Sequence, residues 1–151
     1  MEEAKEKSKP KKVKLIHVAG KRKTALARTT IKEGKGTIRI NSLLFENFGT
    51  RFSRLRIEEV LGLAKPYVNI EKVDIKITVN GGGVSGQTDA IRTSLSRALV
   101  DYVSKDKKEA LREDLVKYDR ALVAGDSRRT EPHKPSKSTK GPRARRQKSY
   151  R

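Results

Sequence analysis

Gly81, Gly82, Gly83 and Gly86 stand closest to known phosphate chemistry in this chain. Glycine lets a backbone approach an anion, and two spacings turn that freedom into nucleotide binding. Gly81, Gly83 and Gly86 spell G-x-G-x-x-G, but the dinucleotide fingerprint needs a βαβ unit whose acidic ribose ligand follows a second strand. Here a second helical pattern follows instead, and Asp101, at a suitable distance, falls inside the first helix. From Gly81 the chain also reads G-x-x-x-x-G-Gln87-Thr88, a P-loop frame with glutamine where the phosphate-binding lysine must stand. The nucleophile elbow G-x-S-x-G fails because Ser85 and Gly86 are followed by Gln87. What remains is a tight turn, close backbone approach and the bare N–H groups of a helix start, which attract any anion, RNA phosphate included.

Cationic side chains supply the second kind of chemistry. Thirty-seven Lys and Arg against eighteen Asp and Glu give a formal charge of +19 in 151 residues, a surplus that opposes compaction until a polyanion neutralises it. Lys21, Arg22, Lys23 and Arg28 form one cluster, for which phosphate contact competes with the plainer role of keeping a sheet edge from aggregating. A second group fills 127–151, where ten Lys and Arg stand against one Glu, with Pro132, Pro135, Pro142 and Gly141 and almost no apolar side chains. Its cations are Arg128, Arg129, Lys134, Lys137, Lys140, Arg143, Arg145, Arg146, Lys148 and Arg151. Arginine dominates the far end, and its planar fork grips two phosphate oxygens or stacks on a base. Tyr150 adds a ring able to stack on a nucleotide.

Other chemistries are not offered. With no cysteine there is no disulfide or thiolate site, and His17 and His133 have no ligand cluster, so neither metal nor cofactor is expected. No apolar run approaches the roughly 20 residues of a membrane span, and no signal-peptide core stands at the N-terminus, so a cytoplasmic protein is expected.

Elements must position these residues. Val73, Ile75, Ile77 and Val79 alternate with polar residues, the period of a strand with one buried face. After the glycines, Ser85 reads as an N-cap with Asp89 in the first turn, and Ile91, Leu95, Ala98, Leu99, Tyr102 and Val103 form one helix face that Arg92 and Arg97 avoid. Upstream, short strands are expected over 16–19, 25–31 and 37–41, with 33–36 as a hairpin turn between the last two. A helical turn is expected over 43–48, then a helix with Ile57, Val60, Leu61 and Ala64 inward, stopped by Pro66. A charged helix carrying Leu111, Leu115 and Tyr118 comes last; its Glu109, Glu113 and Asp114 face solvent or a protein neighbour. The implied organisation is a flexible basic extension over 1–14, a globular α+β unit over 15–122 and an extended basic tail over 123–151 that has nothing to bury against the entropy of ordering.

The run Gly81-Gly82-Gly83-Val84-Ser85-Gly86-Gln87-Thr88-Asp89-Ala90-Ile91-Arg92, continuing to Ser96-Arg97-Ala98-Leu99, resembles the signature of the small-subunit ribosomal protein nine family. So do Gly20-Lys21-Arg22-Lys23-Thr24-Ala25-Leu26-Ala27-Arg28, Gly36-Thr37-Ile38-Arg39-Ile40-Asn41 and the ending Gln147-Lys148-Ser149-Tyr150-Arg151, whose last pair is similar to the archaeal and eukaryotic branch. The resemblance implies a four-stranded mixed sheet backed by helices, of the kind named for the second domain of ribosomal protein S5, with a long basic tail. It implies a non-catalytic constituent of the small subunit that binds rRNA in the subunit head. Gly82, Gly83, Gln87, Arg92 and Arg97 then join the cations as RNA-binding residues, and head proteins are expected neighbours. The family's tail reaches the anticodon stem-loop of peptidyl-site tRNA, a contact that falls here to Tyr150 and Arg151; the terminal carboxylate opposes it and must turn away from phosphate or be offset by Lys148. Two rival readings stand beside this one: a basic protein coating DNA, and an enzyme using the glycine loop.

Overall fold

The computed structural model describes residues 15–133 and Pro142. The expected N-terminal extension and most of the expected tail lie outside the described residues.

Strand alternation is borne out. Along β5 (Val73–Asn80) the four apolar residues are buried, while Lys76, Thr78 and Asn80 are exposed. β1 (Ile16–Arg22) and β2 (Ala25–Glu33) pair antiparallel across the two-residue turn Lys23–Thr24, where Lys23 takes a left-handed conformation, φ +52°. β2 then pairs antiparallel with β5. Ile31, Ile40, Ile75 and Ile77 are wholly buried, each contributing about 1.5–3 kcal/mol over exposure, and a one-residue slip would carry them to the other face. That fixes the register.

The sheet departs from expectation in two places. Among the described residues it has five strands, ordered β1-β2-β5-β3-β4, rather than four. The addition is β4 (Leu43–Leu44), which pairs with β3 (Ile38–Ile40) where a helical turn was expected; the only helical hydrogen bonding there is a 3-10 turn over Phe45–Asn47. Nor is 33–36 a hairpin turn, because β5 lies between β2 and β3, and β3 runs parallel to it. The cause is Asp74 at the start of β5. Its carboxylate accepts from the backbone N–H groups of Lys35 (2.9 Å) and Thr37 (3.1 Å), and Gly34 N–H donates to the Lys72 carbonyl. The loop therefore wraps round the end of β5 and delivers β3 to its far edge.

Among the described residues there are four α-helices, and the buried face of the sheet turns towards them. α1 (Arg51–Ala64) starts at Thr50, whose hydroxyl caps the Ser53 N–H, and buries Ile57, Val60, Leu61 and Ala64 as its spacing predicts. α2 (Val84–Tyr102) crosses β1 and β2 at the centre of the molecule. Its N-cap is Gly83, so Ser85 lies within the first turn and Asp89 beyond it. Gly81 and Gly82, at φ +75° and +67°, turn the chain so sharply that the helix starts before Ser85 can cap it. Close approach to β1 rests on Gly20, where an added Cβ would meet Ser94 N at 2.5 Å and the Ala90 carbonyl at 2.6 Å. Beside it, Thr29 and Ser94 satisfy one another at 2.8 Å in the interior. α3 (Lys105–Tyr118) packs on Leu111 and Leu115 and leaves Glu109, Glu113 and Tyr118 exposed. The short α4 (Ala121–Ala124) buries Leu122 and crosses the boundary expected after residue 122.

Candidate nucleic-acid interface

Strand alternation divides the first cationic cluster. Cross-strand partners share a face, and the pairs are Lys21 with Leu26, Arg22 with Ala25, and Ala19 with Arg28. Lys21 and Arg28 thus stand exposed on the face away from the helices, Arg22 turns towards α2, and Lys23 projects from the turn. Arg22 is ion-paired to Asp126 and lies 3.6 Å from Asp89.

The glycine loop packs under this turn. A Cβ on Gly81 would lie 2.6 Å from the Thr24 carbonyl, whereas Gly82 and Gly83 are exposed and nothing would oppose a side chain at Gly83. Gln87 occupies the position where a P-loop needs lysine, and its amide donates to the Gly81 carbonyl at 3.2 Å, closing the loop on itself. A cleft of about 240 Å³ lies between the turn and the helix start, lined by Arg22, Lys23, Gly82, Gly83, Ser85 and Asp89. Lys23 above and the helix N–H groups below favour an anion here, while Arg22 is already paired and Asp89 opposes one at the cleft wall.

Arg92 and Arg97, expected at the RNA, are built into the protein. Arg92 is 6% exposed; its guanidinium lies 3.2 Å from Glu59 and 3.9 Å from both Asp89 and Asp119. Arg56 joins the same network through Asp89 at 2.9 Å while lying over the ring of Phe52. A group held by three carboxylates has little left to give a phosphate. Arg97 donates to the carbonyls of Val123 (2.8 Å), Ala124 (3.0 Å) and Ala19 (3.3 Å), tying the end of α4 to β1. Sequence reasoning missed Arg56, Glu59, Asp119 and Asp126. One signal was available: between Asp89 and Asp101, α2 carries no charges except Arg92 and Arg97, which is the composition of a central helix whose charges must be paired.

The chain leaves this network at a fixed point. Gly125 takes φ +79°, and Asp126, 11% exposed, binds both Arg22 and Arg128 (2.6 Å). Arg128 and Arg129 are exposed, and Arg128 shares a cleft of about 170 Å³ with Lys21, Arg22, Arg56 and Arg92 and with the carboxylates of Asp89, Asp119 and Asp126. The turn, the glycine loop and the root of the tail thus meet at one corner. Lys134, Lys137, Lys140, Arg143, Arg145, Arg146, Lys148, Tyr150 and Arg151 lie outside the described residues.

Among the described residues no set of three or more His, Asp or Glu is placed to hold a metal, and no helix is long and apolar enough to cross a membrane. His17 instead makes a 2.9 Å contact with the Thr30 hydroxyl.

Residues 20–151 match the family described as ribosomal protein S9/S16. The chain belongs to the ribosomal protein S9/S16 family. Among its relatives, small ribosomal subunit protein uS9 of Methanococcus maripaludis (strain C7) is 48% identical over 139 residues, which is 92% of this chain and all of the relative. The protein of the same name from Methanococcus vannielii is 46% identical over the same lengths. The match to the S9/S16 family runs through the whole tail as well as the domain. These relatives are structural ribosomal proteins and not enzymes.

Proposed function

We propose that this structural component of the small ribosomal subunit anchors on rRNA in the subunit head through the corner where turn, glycine loop and tail root meet. Lys21, Lys23, Arg128 and Arg129 present charge there, Gly82 and Gly83 let a phosphate approach the start of α2, and Arg22, Arg92 and Arg97 hold the corner together. Arg28 reaches RNA from the sheet, and Gln87 keeps the loop closed. The observation that carries this reading is the convergence of these segments, with Lys21 and Arg128 lining one cleft. Beyond the root, Lys134 to Lys148 follow RNA crevices as an extended cationic strand, and Tyr150 and Arg151 meet the anticodon stem-loop of peptidyl-site tRNA. A guanidinium at a thin chain end can hold a tRNA backbone without reading sequence, as a site serving every tRNA must. Neighbouring head proteins contact α3, and the protein works in the cytoplasm.

The test compares small-subunit rRNA with duplex DNA at equal salt. Tighter binding to rRNA is expected, and equal affinities would make the protein a general polyanion binder. In assembled subunits, Arg151→Ala should weaken peptidyl-site tRNA by ~1–2 kcal/mol, the scale of one charge-assisted hydrogen bond. An unchanged tRNA affinity would remove Arg151 from that site.

A further inference from the structure

Among the described residues no helix covers the second face of the sheet. Register and alternation put Arg28, Thr30 and Lys32 of β2, Lys76 and Thr78 of β5 and Arg39 of β3 together on it. Their acidic company on these strands is Asp74, which is already committed to the backbone of Lys35 and Thr37, with Lys32 3.9 Å away. Among the described residues Arg28, Arg39 and Lys76 make no ion pair. Arg39 and Lys76 are also direct partners in the parallel register of β3 and β5, about 4.8 Å apart across the sheet. Like charges so opposed destabilise the free protein. A surface that accepts this cost and flanks it with Thr30 and Thr78 hydroxyls fits an anionic partner. A shallow groove of about 380 Å³ runs here, lined by Thr30, Lys32, Thr37, Arg39, Ile75 and Lys76 together with the committed Asp74.

We infer that this open face is a second RNA contact, separate from the corner, and that it holds the sugar–phosphate backbone and does not read bases. The inference rests on the proposed rRNA binding and adds a site to it. The five strands contain no Phe, Tyr or Trp, so the face lacks the stacking platform with which sheet-based RNA readers splay out bases. Cations about 7 Å apart along a strand and about 5 Å apart between strands follow a backbone, and each phosphate they neutralise adds to the salt dependence.

The experiment uses the full chain carrying Arg28→Gln, Arg39→Gln and Lys76→Gln together, titrated with small-subunit rRNA from 50 to 400 mM salt. Binding should weaken, with the slope of log K against log salt smaller in magnitude by about 2 to 3. As a check that needs no mutation, Lys32 and Lys76 of the wild-type protein should be shielded from amine acetylation by rRNA, while Lys105 and Lys107 on α3 stay reactive. A triple variant that folds and keeps the wild-type slope, or a wild-type Lys76 that reacts equally with and without RNA, overturns the inference and leaves the corner in place. Shielding of Lys76 in intact subunits that survives RNA digestion assigns the face to a protein neighbour and overturns it too. Failure of the wild-type protein to prefer rRNA over DNA would instead overturn the proposed function.

Discussion

Single residues here divide into those that hold the molecule and those that meet a partner, and identity alone does not separate them. Arg22 and Lys23 are adjacent, yet one is paired to Asp126 and the other projects from the turn. Removing Arg92 would leave Glu59 and Asp119 without this counter-charge, while Asp89 keeps Arg56. Arg92→Ala should cost about 2 kcal/mol in denaturant unfolding, less than a fully buried pair because Glu59 and Asp119 keep solvent access. The glycines separate in the same manner. Gly20→Ala forces a methyl against the backbone of Ser94 and Ala90 and should lower stability by about 1–3 kcal/mol, whereas Gly83→Ala meets nothing and should cost much less, through the weaker N-cap alone. Asp74 has a pH signature. The Lys35 and Thr37 N–H groups, in that order, hold its carboxyl below the usual carboxylate range. Its contribution is therefore complete above the unfolded pKa of about 3.9 and is lost as pH falls through the lower folded value. Melting curves from pH 7 to 2 should show a shallower acid loss for Asp74→Asn than for wild type.

At the scale of elements, α2 is the centre. It touches all the strands that carry the core except the edge pair β3–β4, and it bears the arginines that collect Glu59, Asp119 and the end of α4. Arg97 is the clasp between α2, β1 and α4. Arg97→Ala should leave most of the fold intact but speed amide exchange at Ala124 and Gly125 and open that segment to proteolysis, since it removes bonds to Val123 and Ala124. Equal exchange in variant and wild type would show that α4 stands without the clasp. The helices were largely legible. Apolar spacing gave the inward face of α1 and the Leu111 and Leu115 contacts of α3, but Tyr118 on that spacing is exposed, and α2 is buried nearly all round, taking Arg92, Thr93, Ser94 and Ser96 inside with its apolar face. Their starts were less so: α2 begins at the glycine turn, and no side-chain cap marks it.

Across the whole molecule, the signs of charge are distributed unevenly. The sheet's bare face and the corner at the start of α2 present mainly cations, while α3 mixes exposed Glu109 and Glu113 with exposed Lys105, Lys107, Arg112 and Lys117. The tail follows from the same corner, and its root belongs to the domain. Truncation after Asp126 should leave thermal unfolding nearly unchanged, because the segment removed offers little apolar surface, while rRNA binding weakens and its salt slope falls. Truncation after Ala124 should melt several degrees lower, because Arg22 then loses Asp126. If the two truncations melt alike, the ion pair contributes nothing to the domain.

What the sequence determined by itself was composition, period and motif: a basic chain, strands with one apolar face, helices of known facing, and a signature placing it in its family. These are local quantities, written within a few residues of one another. Pairing over distance came from packing. The Gly34–Gly36 turn looks the same in sequence whether β3 returns beside β2 or passes round β5, and Asp74, some forty residues on, makes the choice. The same holds for charge. Arg92 and Lys76 are both cations, and the packing of α2 against α1 buries one among carboxylates while the bare side of the sheet leaves the other in water beside Arg39.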